Sequence, residues 1–381
     1  MEEKETISFA EKVHSVRWLW ITLAVVVLVG TVSALVYFGI FNRYDSFSVV
    51  SSADLGGRDG SFIEFEGALL SYSRDGATLS DYDGNLIWTE TYDMQTPVAV
   101  VSEGELLIYD KTGNGLVVMT RAGEQGAIST TLPVVRADIS DNGVVAVLMQ
   151  DRDTGYINVY QADGGLMASG QVHLENTGYP ISLAISPDGQ RLLVSMICVS
   201  EGTVAAQLSF YDFGDLGSTQ KDNIIASFNY VGSVFPEVGF FADGSAIAFG
   251  TREIIIYSGG KKPESSARIS ASSEIGSVFK NRKGFAVINK AGEDKNTLTV
   301  YDHKGHVKFE KTVRLDYNKA QYISNGDILI ANGDQVILYN GHGIRRFHHT
   351  FSDGFVALMP SGGLRDYVLV EGKKCSRIKF R

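Results

Sequence analysis

The fold is decided by residues 181–195, which read ISLAISPDGQRLLVS. Two short and mostly apolar runs, 181–185 and 191–195, flank the turn Ser-Pro-Asp-Gly-Gln. Pro fixes its own φ, Asp hydrogen-bonds the backbone two residues on, and Gly accepts the left-handed conformation that a tight turn demands. Apolar runs of this length on either side of such a turn predict a β-hairpin.

Similar turns recur along the chain in two families. The first joins two apolar runs and comprises Asp141-Asn142-Gly143, Ala242-Asp243-Gly244, Arg282-Lys283-Gly284 and Ser324-Asn325-Gly326. The second follows a strand that ends in Tyr, and it begins at Tyr82, Tyr109, Tyr160, Tyr211, Tyr257, Tyr301 and Tyr339. Together they predict a repeating unit of four strands in which Asn, Asp and Gly make the turns.

The repeat period is that of β-propeller blades. The first strands begin near Phe62, Thr96, Val134, Ile181, Glu237, Glu274, Lys319 and Gly354, at spacings of roughly 35 to 55 residues, which is typical of four-stranded blades. Seven complete blades occupy residues 62–349.

The last segment, 354–381, has only three candidate strands. They are Phe355–Met359, Tyr367–Val370 and Arg377–Phe380. We expect residues 46–51 to supply the missing strand, because pairing the chain ends leaves no exposed sheet edge. The predicted fold is therefore all-β, an eight-bladed propeller closed by an N-terminal strand, with seven blades as the alternative.

A hydrophobic segment precedes the propeller. Residues 18–41 contain no charge and lie between Arg17 and Arg43. As a helix they would extend about 36 Å, enough for a hydrocarbon core of about 30 Å. We therefore predict a transmembrane helix over 18–41, after a cytoplasmic tail (1–17) and before a short linker (42–45) to a propeller ectodomain (46–381).

Two features of this segment bear on localisation. A cleaved signal peptide is the alternative to an anchor, since small residues at Val32-Ser33-Ala34 offer a cleavage point, but the apolar run continues beyond them. Lys4, Lys12 and Arg17 precede the helix, and the positive-inside rule then places the N-terminus in the cytoplasm. The prediction is a single-pass cell-membrane protein with an extracytoplasmic propeller.

The composition excludes one class of partner. The formal net charge is -10 and no basic stripe occurs, whereas nucleic-acid binding needs clustered Lys and Arg to neutralise phosphates. No nucleic-acid partner is expected. The two cysteines, Cys198 and Cys375, are too few for a disulfide framework, although one bond between them stays open.

No motif indicates catalysis, a cofactor or a metal. The run Asp81–Asn85 matches the start of a calcium loop, but Leu86 stands where that loop needs Gly and Tyr92 where it needs Glu, so a hairpin turn is preferred. The histidines are interpreted as exposed turn and strand residues, since no further ligands accompany them at metal-site spacing; they are His303, His306, His342, His348 and His349.

Three further stretches stand out. Basic residues cluster at Lys280, Arg282 and Lys283 and again within 373–381, where solvated strand faces are the simpler interpretation and contact with anionic lipid or wall polymer is the alternative. The fourth blade carries extra residues at 199–203 and 213–223. A tolerated insertion explains them, although long connections on rigid scaffolds also carry function.

The Tyr-Asp-x-x-Gly turns and the Ser186–Gln190 turn resemble those of the WD-like and quinoprotein-like propeller superfamily. With the N-terminal segment, the chain most resembles an uncharacterised bacterial family of membrane-anchored propellers, a domain of unknown function. Leu79–Trp88 is similar to the quinoprotein repeat, in which a Trp docks neighbouring blades. Because Trp88 is the only Trp outside 18–41, the other blades lack this motif, and a pyrroloquinoline quinone site is not expected.

The sequence supports two hypotheses about function. The favoured one is a non-enzymatic binding or scaffold module at the membrane surface, whose partner is a protein, a peptide or a cell-envelope polymer. The alternative is an enzyme, quinoprotein-like or acting on glycans, with carboxylates from several blades in the central channel. The residues that line the channel distinguish the two.

Overall fold

The structure is a computed structural model. It describes residues 18, 20–34, 37, 41–55, 60–152, 154–173, 178–200, 202–270, 275–290, 295–372 and 374–381.

A helix, α1, runs without a gap over residues 20–34, and Trp18, Tyr37 and Phe41 are also helical. Its apolar side chains are exposed, for example Val26 at 62% and Leu28 at 64%. Within the described part of the chain, no helix combines the length and the apolarity that a membrane span needs. Parts of the predicted 18–41 span, namely residues 19, 35, 36 and 38–40, lie outside the described residues.

Eight four-stranded antiparallel sheets follow, and each is one blade. The prediction of eight blades is confirmed, and the seven-bladed alternative is wrong. Blades 1 to 4 consist of β2 (Ser61–Phe65), β3 (Ala68–Tyr72), β4 (Gly76–Ser80) and β5 (Leu86–Thr91); β6 (Pro97–Ser102), β7 (Glu105–Asp110), β8 (Gly115–Thr120) and β9 (Gly123–Ser129); β10 (Val134–Ile139), β11 (Val145–Asp151), β12 (Thr154–Tyr160) and β13 (Leu166–His173); β14 (Tyr179–Ile185), β15 (Arg191–Ser200), β16 (Thr203–Asp212) and β17 (Ile224–Val231).

Blades 5 to 7 repeat this order, and blade 8 takes its fourth strand from the N-terminal side. Their strands are β18 (Glu237–Phe240), β19 (Ala246–Phe249), β20 (Glu253–Tyr257) and β21 (Ser265–Ser270); β22 (Ile275–Asn281), β23 (Gly284–Lys290), β24 (Asn296–Asp302) and β25 (Val307–Val313); β26 (Lys319–Tyr322), β27 (Ile328–Ala331), β28 (Gln335–Tyr339) and β29 (Arg345–Thr350); β30 (Phe355–Pro360), β31 (Asp366–Glu371), β32 (Lys374–Phe380) and β1 (Phe47–Asp54). Two 3₁₀ turns, Gly217–Thr219 and Lys221–Asn223, lie between β16 and β17.

The ring closes through β1, as the sequence predicted. This strand pairs antiparallel with β32, with Phe47 opposite Phe380 and Ala53 opposite Cys375. The chain approaches β1 along blade 7, because Tyr44 bridges to Phe347 of β29 and its amide donates to the carbonyl of Arg346 at 2.9 Å. Part of the predicted short linker, 42–45, is therefore bound to the propeller.

The core lies between the blades. Buried side chains form one apolar cluster at each of the eight junctions between neighbouring sheets. At the closing junction of blades 8 and 1, Phe62 and Leu69 pack with Val368 and Val370. A single sheet has no partner for such faces, so the ring stabilises every blade through its two neighbours.

The two families of turns take defined places. The Asn/Asp-Gly family joins the first strand to the second, and Gly143 and Gly189 adopt the expected positive φ of 79° and 71°. The Tyr family joins the third strand to the fourth, with one exception. Tyr109 ends β7, so its turn joins the second strand to the third. The extra residues predicted as a loop at 199–203 instead belong mostly to strands, because β15 and β16 extend to ten residues each and form a long hairpin there.

Because all strand pairs are antiparallel, turns between first and second strands lie on the same face as turns between third and fourth strands. We call this the front face, and we call the other side, with the second-to-third turns and the connections between blades, the back face. In blade 8 the end of β32 and the beginning of β1 meet at the front face. The helix and the C-terminus are therefore both connected to the propeller there.

Candidate functional site in the central channel

The first strand of every blade faces the central channel, which contains two cavities. The first, of about 1170 Å³, is lined by residues of blades 8, 1, 2, 6 and 7. The second, of about 770 Å³, is lined by residues of blades 2 to 6. The two share only parts of blades 2 and 6, which lie opposite each other in the ring. Both cavities reach the front face, since its turn residues line them.

The wall of the first cavity is mainly apolar. Its apolar lining residues include Phe62, Ile63, Ala99, Tyr322, Ala357 and Met359. Front-face turn residues, including Asn325 and His342, form its rim. A concave apolar surface with a few polar groups is the usual form of a ligand or peptide site.

Glu64 is the distinctive polar group of the first cavity. It lies on β2, and its Oε2 atom is buried without a hydrogen-bond partner among the described residues. Burial raises the pKa of this carboxyl, although hydrogen bonds from Ser324 and from the backbone of Gly67 oppose the shift. A buried carboxylate oxygen without a partner costs folding free energy, so this residue is not explained by stability.

A buried polar network fixes the rim beside His342. Asp327 accepts hydrogen bonds at 3.1 Å each from Arg346, Asn325 and Tyr367. The side chains of Asp327 and Arg346 are only 6% and 10% exposed. Burial raises the pKa of the Asp327 carboxyl, and the positive charge of Arg346 opposes this rise. The network therefore holds the turn at 323–327 in one conformation.

A bridge of charged residues crosses the channel and separates the two cavities. Arg282 of blade 6 donates to both carboxylate oxygens of Asp141 in blade 3, at 2.6 and 2.8 Å, and its Nε lies 2.9 Å from Glu103 of blade 2. Ser102 also donates to Asp141 at 2.6 Å. Burial disfavours the charge of Asp141, but these hydrogen bonds outweigh burial and lower its pKa. We call this group the cross-channel bridge.

The second cavity is lined by charged residues with protein partners. Arg136 pairs with Glu237 at 2.6 Å, Asp138 accepts the amide of Ile185 at 3.0 Å, and Lys280 donates to the carbonyl of Phe240 at 2.9 Å. Lys280 touches channel solvent but is surrounded by the ring of protein, and this desolvation lowers its pKa. Desolvation likewise raises the pKa of Asp138.

The channel thus holds converging charges that the sequence did not reveal. They come from the first strands of four blades, 1, 3, 5 and 6, which are far apart in the chain, and they are Glu64, Arg136, Asp138, Glu237 and Lys280. The sequence feature that could have indicated these residues is a charged side chain within a short, otherwise apolar strand, as with Arg136 and Asp138 in VVRADI. Only the ring closure shows that these strands share one channel.

The predicted turn at Asp81 and two of the histidines lie in polar turns that side-chain contacts hold together. Asp81 accepts the amides of Asp83 and Asn85 at 2.9 and 2.8 Å, as a hairpin turn requires. His306 pairs with Asp302 at 3.0 Å, and His303 lies 3.5 Å from Asp243. Among the described residues no group of three His, Cys, Asp or Glu side chains is placed to hold a metal ion.

The remaining singled-out residues lie apart from the cavities or at their rim. Arg377 pairs with Asp83 at 2.8 Å, which joins blades 8 and 1. Cys198 lies in blade 4 and Cys375 in blade 8, on opposite sides of the ring, and both are free thiols. Burial raises the pKa of Cys375 to about 11. Of the predicted basic cluster at 280–283, Lys283 lines the first cavity, whereas Lys373 lies outside the described residues.

Comparisons with known proteins agree with this architecture. Residues 41–380 match a family of unknown function, DUF5711. Three solved propellers are similar at low identity. BamB from Moraxella catarrhalis is 13% identical, with 88% of this chain and 100% of that chain covered and a TM-score of 0.50.

The other two are Sqt1 proteins. Saccharomyces cerevisiae Sqt1 is 11% identical over 90% of this chain and 100% of that chain, with a TM-score of 0.55. Chaetomium thermophilum Sqt1, bound to the N-terminus of the ribosomal protein L10, is 13% identical over 88% of this chain and 100% of that chain, also with a TM-score of 0.55. At these identities the likeness concerns the fold alone. No curated protein matches the chain.

Proposed function

The chain belongs to the DUF5711 family, and from its structure we propose that it is a membrane-anchored, extracytoplasmic binding module that holds a protein or peptide segment in the first cavity. One observation carries this proposal: a cavity of about 1170 Å³ with an apolar wall contains a buried carboxylate oxygen that has no partner among the described residues.

The chemistry of the first cavity suits an extended polypeptide segment better than a bulk polymer surface. The half-buried Ile63, Ala99 and Tyr322 supply apolar contact, while the carboxyl of Glu64 accepts a hydrogen bond or a positive charge. Buried aromatic pockets with a few polar groups are where interfaces concentrate their binding free energy. A propeller of the same fold, C. thermophilum Sqt1, binds a protein N-terminus, which supports this class of partner. A cell-envelope polymer is the other partner to be tested.

The second cavity supports a different candidate, an enzyme that works in the channel. Asp138 and Lys280 have pKa values shifted in opposite directions by burial, and such groups are enriched at active sites. Each of them is nevertheless held by a backbone partner, as in a structural network. A binding module is therefore the better proposal, and measurable turnover that is lost in Asp138→Asn would favour the enzyme.

The anchoring part of the proposal rests on the uncharged residues 18–41 and on the exposed apolar side chains of α1. An impermeant thiol reagent should label Leu166→Cys in intact cells, in a Cys198→Ser background. The protein should also resist extraction by alkaline carbonate, at the mass of the uncleaved chain. Labelling only after lysis contradicts the orientation, and loss of residues before 35 from the mature chain favours the cleaved signal peptide.

The binding part can be tested with a photo-crosslinking residue at Gln321, which lines the first cavity. A matched probe replaces Gln125, an exposed residue on the outer strand β9. We expect a discrete adduct at position 321 and none at 125. Ala99→Phe, which fills the cavity, should abolish the adduct, whereas Ala127→Phe on the outer strand of the same blade should not. An adduct that survives Ala99→Phe contradicts the cavity as the binding site.

A further inference from the structure

Charged residues are divided unequally over the front face. The front-face turns of blades 1 to 4 carry mostly acidic residues, with Arg121 and Lys221 as the basic ones. The acidic residues are Glu66, Asp81, Asp83, Glu103, Asp141, Asp163, Asp188, Asp215 and Asp222.

The other half of the same face has the opposite sign. Its acidic residues in the front-face connections are Asp45, which pairs with Arg345 of β29 at 3.5 Å, Asp243, Glu264 and the buried Asp327. Its basic residues, which we call the basic sector, are Lys261, Lys262, Arg282, Lys283, Lys304, Arg365 and Arg381. All of these front-face turns belong to the described residues. The front face is therefore an electrostatic dipole across the ring.

Most of the basic sector is not used to stabilise the fold. Arg282 belongs to the cross-channel bridge. Among the described residues, Lys283, Lys304, Arg365 and Arg381 are exposed and make no ion pair. Charges of this kind act on partners rather than on folding.

The chain leaves the propeller inside this sector. β1 begins at Phe47 beside the end of β32, and Tyr44 is held on β29, so only Asn42 and Arg43 separate the docked chain from the helical residue Phe41. Two extended residues span about 7 Å. The basic sector is thus the part of the propeller nearest to the N-terminal helix.

Exposed apolar residues accompany the positive charges there. Leu364, beside Arg365, is 67% exposed, and Val307, next to Lys308, is 57% exposed. A basic surface with isolated exposed apolar side chains suits the interface of an anionic bilayer, where lysines and arginines meet headgroups and apolar side chains enter the headgroup region.

From these observations we infer that the basic sector binds anionic phospholipid headgroups and fixes the tilt of the propeller on the membrane, with blades 6 to 8 lowered and the acidic blades 1 to 4 raised. This inference rests on the proposed membrane anchor. Because the helix is joined at the rim of blades 7 and 8, lowering that rim brings Lys283 and Leu364, which line the first cavity, close to the membrane. The front face stays open over blades 1 to 4, and a partner reaches the first cavity from the side of blades 1 and 2, which also line it.

Fluorescence quenching of the full-length chain in lipid nanodiscs tests this orientation. An environment-sensitive label is placed at Leu364→Cys, or at Leu166→Cys as the matched control, in a Cys198→Ser background. Leu166 is 58% exposed on the same face but in blade 3. The discs carry a headgroup-bound quencher and consist of phosphatidylcholine alone or mixed equally with phosphatidylglycerol.

We expect strong quenching at position 364 in the anionic discs, weaker quenching in phosphatidylcholine, and none at 166. High salt should remove the difference, since it screens exposed charges. Each basic residue near an anionic surface strengthens binding about fivefold. We therefore expect the equilibrium constant for docking to fall by more than about 100-fold in the triple variant Lys304→Glu, Arg365→Glu, Arg381→Glu. The back-face variant Arg74→Glu, Lys111→Glu, Arg252→Glu has the same change in net charge and should dock normally.

Equal quenching at 364 in both lipids, or equal quenching at 364 and 166, overturns the inference. A labelled chain that does not co-elute with the discs refutes the anchor separately. In that case the same chain is titrated with phosphatidylglycerol vesicles. Quenching at 364 alone then still supports the lipid-binding sector, and its absence refutes it.

Discussion

Glu64 illustrates why a charged residue in a short strand deserves a functional interpretation. It lies among apolar side chains in the strand SFIEF, in which Phe62 and Phe65 are buried. The structure gives one of its carboxylate oxygens no partner among the described residues. A residue that costs folding free energy at a cavity wall is best explained by the partner that it binds.

Glu64→Gln should stabilise the propeller at neutral and alkaline pH. Burial raises the pKa of this carboxyl, so its ionisation penalises the folded state above the raised pKa, and the penalty disappears as pH falls below the ordinary carboxyl pKa. We expect the unfolding temperature to rise by about 1 to 3 °C near pH 8, from a gain of roughly 1 kcal/mol, and not to rise near pH 4.

Thermal unfolding of the full chain in detergent measures this effect. Glu66→Gln is the matched control, because Glu66 is exposed and lies only two residues away. A lower unfolding temperature for Glu64→Gln at alkaline pH would show that Glu64 is structural. The same variant should weaken the photo-crosslink at position 321 if the carboxylate contacts the partner.

Contacts between residues that are close in the chain could be predicted from the sequence. The carboxylate of Asp81 is used by its own turn, as the pattern Asp-Tyr-Asp-Gly-Asn predicted. The sequence could not reveal that Glu64 lines a cavity or that Arg136 pairs with Glu237, because both features depend on residues from different blades. Spacing along the chain carries no information about neighbours across a channel.

The cross-channel bridge joins three structural elements, and the sequence of no single blade could predict it. Arg282, Asp141 and Glu103 each lie in an ordinary polar turn. Their side chains meet only because blade 6 faces blades 2 and 3 across the ring. The bridge closes part of the front opening and divides the channel into two cavities.

The bridge should contribute a measurable but small coupling energy. A double-mutant cycle of Arg282→Ala and Asp141→Asn should give about 0.5 to 1 kcal/mol at neutral pH, since the pair is bidentate but partly exposed. The pKa of Asp141 is lowered in the folded state. The coupling is therefore complete above the ordinary carboxyl pKa and is lost as pH falls through the lowered value. A coupling that persists in strong acid contradicts the ion pair.

The outer strands also dock the blades. The indole of Trp88 in β5 donates to the carbonyl of Thr120 in blade 2 at 3.1 Å. Trp88→Phe removes this hydrogen bond and should lower the free energy of unfolding by about 1 kcal/mol, which chemical denaturation can measure. An unchanged stability would show that the contact between blades 1 and 2 depends on their apolar cluster alone.

For the whole molecule, the sequence predicted the architecture because repetition makes local signals cumulative. Each hairpin is ambiguous alone, but eight units of the same order leave one solution, and the unpaired stretch near Ser48 completes the last of them. The first residues of the blades fall within about two positions of their predicted places, as expected for element boundaries. The exception at Tyr109 shows that turn chemistry identifies a turn but not its place in the blade.

The proposed orientation on the membrane depends on the charge of the whole front face. Neither the acidic nor the basic half of the front face is visible in the overall charge of -10. The division into an acidic and a basic half depends on which face and which blade each turn belongs to, and the folded structure alone determines this. If the proposed anchor is present, this division of charge orients the propeller relative to it, and the proposed partner site is then presented at a fixed angle.

Both the first cavity and the front-face dipole require that blade 8 lies beside blade 1, and a cross-link between the chain ends tests this most directly. Ser52 of β1 and Ser376 of β32 face each other with their Oγ atoms 2.6 Å apart. In the variant Ser52→Cys, Ser376→Cys, mild oxidation should join residues 52 and 376 quantitatively, as non-reducing peptide mapping would show, and the unfolding temperature should not fall. Residues 52 and 376 both left as free thiols after oxidation, or a bond of residue 52 to Cys198 instead, would contradict the closed eight-bladed ring.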